Sequence, residues 1–178
     1  IFKTYQITMV KKKFEKICVI GMPGSGKSTI GRALSDYLKF EFYDTDEQIE
    51  IESQSRIKDI FNKKGEEYFR KLERSILKKL ILKKKIVVST GGGIILKNKD
   101  LLNQTFNIYL KCDLETLINR TSRNKNRPLL KNNVEKNIKV LFNDRKEIYN
   151  ETSDFTINAT SNTQKTIKTI LEYLNQWR

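Results

Sequence analysis

A chain of 178 residues, 38% hydrophobic and 31% charged, has the size of one domain and a globular composition, which excludes a fibre or a disordered polymer. Lysine and arginine number 35 against 21 acidic residues, a net charge of +14, but the runs Lys11–Lys13, Lys78–Lys79 and Lys83–Lys85 flank expected elements and read most simply as a solvated face, so no nucleic-acid partner is expected. There is no histidine, which removes the commonest general base and metal ligand and leaves carboxylates, Lys, Tyr or Cys to accept protons.

The segment Ile1–Val10 is too short and polar for a signal-peptide core, and a basic run follows it. Residues 1–13 read as an extension, with Met9 a candidate start. No apolar run reaches the roughly 18 residues of a transmembrane helix, so the expected location is the cytoplasm, with no membrane partner. Strands are expected at Lys16–Ile20, Phe40–Tyr43, Ile86–Ser89, Phe106–Leu110 and Asp154–Asn158. Helical spacing puts Phe69, Leu72, Ile76 and Leu80 on one face, and Ile167, Ile170, Leu171, Leu174 and Trp177 on another. Strands alternating with such helices predict a single α/β domain with a mainly parallel sheet. Cys18 and Cys112, far apart in apolar runs, read as buried, reduced thiols. The polar stretch Ser122–Asn133, with Arg123, Lys125, Arg127 and Lys131, separates two helical patterns and reads as a lid.

The first strand runs directly into Gly21-Met22-Pro23-Gly24-Ser25-Gly26-Lys27-Ser28, which fits GxxxxGK[ST] at every fixed position, and a helical pattern follows at once through Thr29. That order matters physically. Backbone N–H groups of the loop and of the helix N-terminus then face one set of phosphates, Lys27 reaches the β- and γ-phosphates, and the Ser28 hydroxyl is offered to Mg²⁺.

Nucleotide binding alone does not make a kinase, so the residues beyond the loop have to decide. Asp44-Thr45-Asp46 closes the second strand at the sheet's C-terminal edge, where alternation along an extended backbone would point both acids the same way. One would support the metal through water and the other would orient a substrate hydroxyl; the bland alternative is a solubilising strand end or a helix cap, with Asp46 just before the helical pattern Glu47–Glu52. Arg70 and Glu73 are three apart on a predicted helix, which suits either a grip on a carboxylate or a surface salt bridge. Gly91-Gly92-Gly93 after the third strand offers bare backbone for close approach, or a flexible turn.

Taken in order, GMPGSGKSTIG, DTD, FRKLE, TGGG, RPLL and DRKEIY between Gly21 and Tyr149 resemble the shikimate kinase family, over most of the chain. The resemblance implies a three-layer P-loop fold with a five-stranded parallel sheet in the order 2-3-1-4-5, a substrate-binding region at about 44–80 and a lid at about 121–133. It also implies transfer of the γ-phosphoryl group of ATP, with Mg²⁺, to the 3-hydroxyl of shikimate, in chorismate and aromatic amino acid biosynthesis, by a monomer. Carried over by motif, Asp46 would bind ring hydroxyls and act as base, and Asp44 would sit near Mg²⁺ through water. Arg70 and Arg145 would hold the substrate carboxylate, with Gly91, Gly92 and Gly93 beside it and Phe61 and Phe69 walling the pocket. Arg127 would close from the lid onto the transferring phosphate, and Arg120 would lie by the nucleotide. The family's adenine-contacting segment has no clear counterpart around Asn158 to Thr163. The rival readings are a related P-loop kinase for gluconate or a nucleotide, a binding protein without turnover, and, on charge alone, a nucleic-acid binder.

Overall fold

The computed structural model describes residues 14–122, 133–159 and 162–176. Its five strands are β1 (Lys16–Ile20), β2 (Glu41–Asp44), β3 (Ile86–Ser89), β4 (Phe106–Lys111) and β5 (Phe155–Asn158). They lie in the order β2-β3-β1-β4-β5, every neighbouring pair parallel. The helices are α1 (Lys27–Leu38), α2 (Thr45–Ser53), α3 (Ile57–Leu80), α4 (Lys99–Leu102), α5 (Leu114–Ser122), α6 (Val134–Thr152) and α7 (Thr163–Asn175), with a 3₁₀ turn at Ile94–Leu96.

Side chains on β1 alternate between two cores. Ile17 and Val19 join Ile30 and Leu34 of α1 and Ile170, Leu171 and Leu174 of α7. Cys18 and Ile20 join Phe69, Ile76, Leu77 and Leu80 of α3, Leu117 of α5, and Ile138 and Tyr149 of α6. A strand apolar on both faces must be covered on both, and helices above and below the sheet are how parallel crossovers achieve that. Leu34 is fully buried, so its truncation to Ala would cost about 2–5 kcal/mol. Both cysteines are buried and free, and Lys78, Lys79 and Lys83–Lys85 are exposed, as the sequence suggested. Among the described residues, no helix is long and apolar enough to cross a membrane.

Three local departures follow from side-chain chemistry. Strand β2 runs one residue later than expected because Asp44 still pairs with Ser89 of β3. Asp154 stands outside β5, its carboxylate accepting a hydrogen bond from the Asn107 backbone N–H at 2.9 Å. Helix α3 is interrupted at Gly65 (φ 77°, ψ 175°), a break that the periodic stripe beginning at Phe69 did not reveal. The register puts Val19 beside Ser89 and Ser89 beside Asp44, so the carboxyl ends of three strands finish level. Ligands of open parallel sheets bind at that edge.

Candidate active site

The phosphate loop leaves β1 at Gly21 and enters α1 through Gly26, which caps the helix in the left-handed region (φ 93°, ψ 18°) without a side-chain hydrogen bond. Gly24 is also left-handed (φ 84°), a backbone state a residue with a Cβ adopts only under strain. The first turn of α1 carries no acidic residue, so its N–H groups and the helix dipole favour an anion. Lys27 is 7% exposed, and its ammonium donates to the Met22 carbonyl at 2.9 Å, laid back along the loop. Arg120 and Thr121 of α5 cover the loop's other side: the Thr121 hydroxyl donates to the Pro23 carbonyl at 3.5 Å, and Arg120 lies against Gly24 and Gly26.

At the edge of β2 the two acids are held differently from the sequence expectation. Asp44 is the N-cap of α2, its Oδ1 accepting from the Asp46 N–H at 3.0 Å, while Asp46 sits in the helix's first turn instead of on extended backbone. Capping uses only one of the Asp44 oxygens: Oδ2 accepts from the Ser28 hydroxyl at 2.7 Å. Ser89 Oγ lies 3.2 Å from Ser28 Oγ. Lys27, Ser28, Thr29, Asp44, Asp46, Ser89, Thr90 and Gly92 line one cavity with Gly24 and Gly26. Ser28, Asp44 and Ser89 bring hard oxygen donors together, and no group of three or more His, Cys, Asp or Glu that could hold a metal occurs among the described residues. Few protein oxygens, completed by phosphate and water, is the way Mg²⁺ is usually held, so the donor set fits that ion.

Behind Gly92 a second wall is built from buried charge. Arg70 is 7% exposed and Glu73 is 0% exposed, so their 2.8 Å ion pair is not the surface bridge that spacing alone allowed. Glu66 Oε1 accepts from Arg70 Nη2 at 2.9 Å. Arg145 of α6, 5% exposed, donates to the Gly92 carbonyl at 3.0 Å. The triple glycine is closely packed. It runs into the 3₁₀ turn, and a Cβ on Gly91 would stand 2.8 Å from Asp46 Oδ1 and 2.9 Å from Glu73 Oε1, while one on Gly93 would overlap the Arg70 guanidinium. Absence of side chains here lets carboxylate and guanidinium groups crowd against backbone. Burial pushes the Glu73 carboxyl up, to about 7; Arg70 works against the rise and the Asp46 carboxylate adds to it. Glu73 Oε1 has no hydrogen-bond partner among the described residues.

Among the expected residues, the structure thus brings Gly24, Gly26, Lys27, Ser28, Thr29, Asp44, Asp46 and Gly92 to one cavity, while Gly21, Pro23 and Ser25 of the loop do not line it, and Arg70, Arg145, Gly91 and Gly93 stand next to Asp46 and Gly92 outside its lining. Met22 belongs to the core, 1% exposed. Phe61 and Phe69 pack on each other, ring centroids 4.7 Å apart, within the core on the α3 side, and neither lines the cavity. Arg127 and most of the expected lid lie outside the described residues. Sequence reading missed Ser89, Thr121, Tyr149 and Thr45, whose hydroxyl accepts from the Gly91 N–H at 2.8 Å. For Tyr149 a signal existed: it follows Arg145 by four residues, the spacing of one helix face.

Residues 23–175 match the family model described as shikimate kinase. The shikimate kinase of Clostridium botulinum (strain Okra / Type B1) is 42% identical over 169 residues, covering 92% of this chain and 98% of that protein. That of Persephonella marina is 45% identical over 136 residues, covering 75% of this chain and 82% of that protein. Among solved structures, shikimate kinase from Acinetobacter baumannii in complex with shikimate superposes with a TM-score of 0.89 at 34% identity, covering 94% of this chain and 96% of that one.

Proposed function

Since the chain belongs to the shikimate kinase family, we propose that it transfers the γ-phosphoryl group of ATP to the 3-hydroxyl of shikimate, giving shikimate 3-phosphate and ADP. The observation that carries the choice of acceptor is the buried Arg70, Glu73 and Arg145 cluster around the Gly91–Gly93 turn, next to Asp46. Buried guanidinium groups suit a carboxylated substrate, because Arg recognises carboxylate through a planar fork of donors. Glu73 takes one N–H of Arg70 Nη1 at 2.8 Å and Glu66 takes Nε and Nη2, which fixes the direction of the second N–H on each terminal nitrogen.

In this reading Asp46 accepts the proton of the acceptor hydroxyl as its oxygen bonds to the γ-phosphorus and the bond from that phosphorus to the ADP oxygen breaks. Loop N–H groups and Lys27 hold the phosphates and offset the negative charge that moves toward ADP. Ser28, with Asp44 through a water, would hold Mg²⁺, which when bound neutralises phosphate charge. Arg120 would lie by the nucleotide, in keeping with its contact on the loop. A loose phosphoryl-transfer transition state asks for charge stabilisation and alignment more than for a strong base, which suits a chain with no histidine.

The test is a coupled assay of ADP release with Mg²⁺ and ATP. Saturable turnover that depends on shikimate is expected. Turnover with gluconate or a nucleoside monophosphate, and none with shikimate, would overturn the assignment.

A further inference from the structure

Tyr149 is 0% exposed, and its ring stacks on that of Tyr109 with centroids 4.9 Å apart and planes 14° from parallel. The hydroxyl at its tip touches both halves of the site. Its oxygen lies 2.9 Å from the carbonyl oxygen of Gly21, where the phosphate loop begins, and 2.5 Å from that of Gly92, the middle of the acceptor turn. A phenol has one proton to donate and here meets two acceptors. Burial pushes the phenol's pKa up, with Arg145 working against the rise, so the proton stays on the oxygen at neutral pH.

The two acceptors are not equivalent. The Gly92 carbonyl also takes the Arg145 hydrogen bond at 3.0 Å, so it keeps a donor when the Tyr149 proton turns toward Gly21. The two loops are in contact as well, since a Cβ on Gly92 would stand 2.9 Å from Pro23 Cδ. A displacement of either loop by a few tenths of an ångström therefore changes how the shared proton is divided.

We propose that Tyr149 is a positioning residue that couples the two halves of the site, its single O–H divided between the Gly21 and Gly92 carbonyls. Nucleotide bound on the phosphate loop fixes one acceptor, the proton settles, and the acceptor turn is held in the geometry that shikimate needs. By linkage, shikimate tightens nucleotide binding by the same factor. A redistributed hydrogen bond of ordinary strength corresponds to a coupling of about three- to tenfold.

The inference rests on shikimate being the acceptor, and the experiment separates the two claims. Shikimate affinity is measured by titration calorimetry without nucleotide and with saturating Mg²⁺ and a non-hydrolysable ATP analogue, for wild type and Y149F. The Phe variant keeps the stacked ring and loses only the hydroxyl. Wild type is expected to bind shikimate about three- to tenfold more tightly with the analogue present, and Y149F to bind it equally in both conditions. A packing role alone would lower the melting temperature and weaken both ligands while leaving the ratio unchanged. A wild-type ratio of one, or a wild-type ratio retained in Y149F, overturns the coupling while leaving the assigned reaction in place. A wild-type protein that does not bind shikimate overturns both. Should Y149F not fold, Y109F protein labelled with ¹³Cζ-tyrosine, in which Tyr149 is the one fully buried tyrosine among the described residues, decides the matter: its resonance moving with either ligand alone supports the coupling, and a resonance that moves with neither overturns it.

Discussion

The side of the cavity proposed to take the nucleotide draws on one consecutive segment, Gly24 and Gly26–Thr29, whereas the side proposed to take the acceptor gathers side chains of α2, α3 and α6 around the bare backbone of the Gly91–Gly93 turn. Phosphates are recognised by N–H groups whose directions follow from a local chain path, so a short contiguous segment suffices. A ring with a carboxylate and hydroxyls needs charges and acceptors at several angles, and one segment cannot supply them. On the phosphate side Ser28 and Thr29 are exposed and Lys27 is a buried charge bonded to a backbone carbonyl, while the other side buries a paired cluster, Arg70, Glu73 and Arg145. Removing one partner from a buried ion pair is costly, so the acceptor side ties specificity to stability in a way the loop does not.

That contrast can be broken most forcefully at Lys27. Lys27→Ala removes the cation that lies along the loop, and kcat is expected to fall about a thousandfold or more with nucleotide affinity also reduced. Steady-state kinetics together with nucleotide titration would check both parts. Asp46→Asn should lower kcat by about 10²–10³-fold, because the amide keeps the shape but does not take the hydroxyl proton. Nucleotide affinity should stay at the wild-type value. Unchanged turnover in this variant would remove Asp46 from the mechanism and blur the division between the two sides.

The same contrast accounts for what could be read from sequence. The loop was legible because its fixed positions follow one local pattern directly between a strand and a helix, with Gly24 and Gly26 at left-handed turns. The parallel sheet was legible from β-rich runs alternating with helical stripes. Arg70 and Glu73 were visible as a pair, but their burial depends on α3 packing beneath the Gly91–Gly93 turn, a contact between distant segments that spacing does not encode. The orientation of Asp46 failed for a different reason. Alternation assumed extended backbone through Asp46, but the strand ends at Asp44, which caps the helix, so the second acid turned into α2. Ser89 and Tyr149 carry no motif of their own and gain meaning only from strand register and from the face that α6 turns inward.

Glu73 allows the acceptor side's link to stability to be measured. Its carboxyl is raised from the usual 4.5 to about 7 in the folded protein, so between those values the folded state holds a proton that the unfolded chain releases. This contribution to stability is complete below the lower value and is lost as pH rises through the higher one. Its size is on the order of 3 kcal/mol. Glu73→Gln mimics the protonated form at all pH values and should abolish that slope. Urea unfolding of both proteins across the range is the measurement, and parallel profiles would show that Glu73 is already ionised in the folded state at the acid end.

The smallest expected effect is the one that sharpens the comparison most, because it leaves charge in place and changes only geometry. Arg70→Lys keeps a cation beside Glu73 and Glu66 but replaces a planar fork of donors with a rotating ammonium. If the acceptor side recognises a carboxylate by direction as well as by charge, the KM for shikimate should rise about tenfold while kcat and the KM for ATP stay near wild type. Loss of a binding interaction made equally in ground and transition states gives that pattern. A matching rise in the KM for ATP would mean that Arg70 acts through the phosphate loop, and a fall in kcat with an unchanged shikimate KM would mean that it aligns the hydroxyl for transfer. One ammonium also cannot serve Glu73 and both donor positions now filled on Glu66, so the variant should lose stability in step with its loss of shikimate affinity. On the phosphate side no such correlation is expected: Ser28 is exposed, and Ser28→Ala should weaken metal-dependent turnover without a comparable change in unfolding free energy.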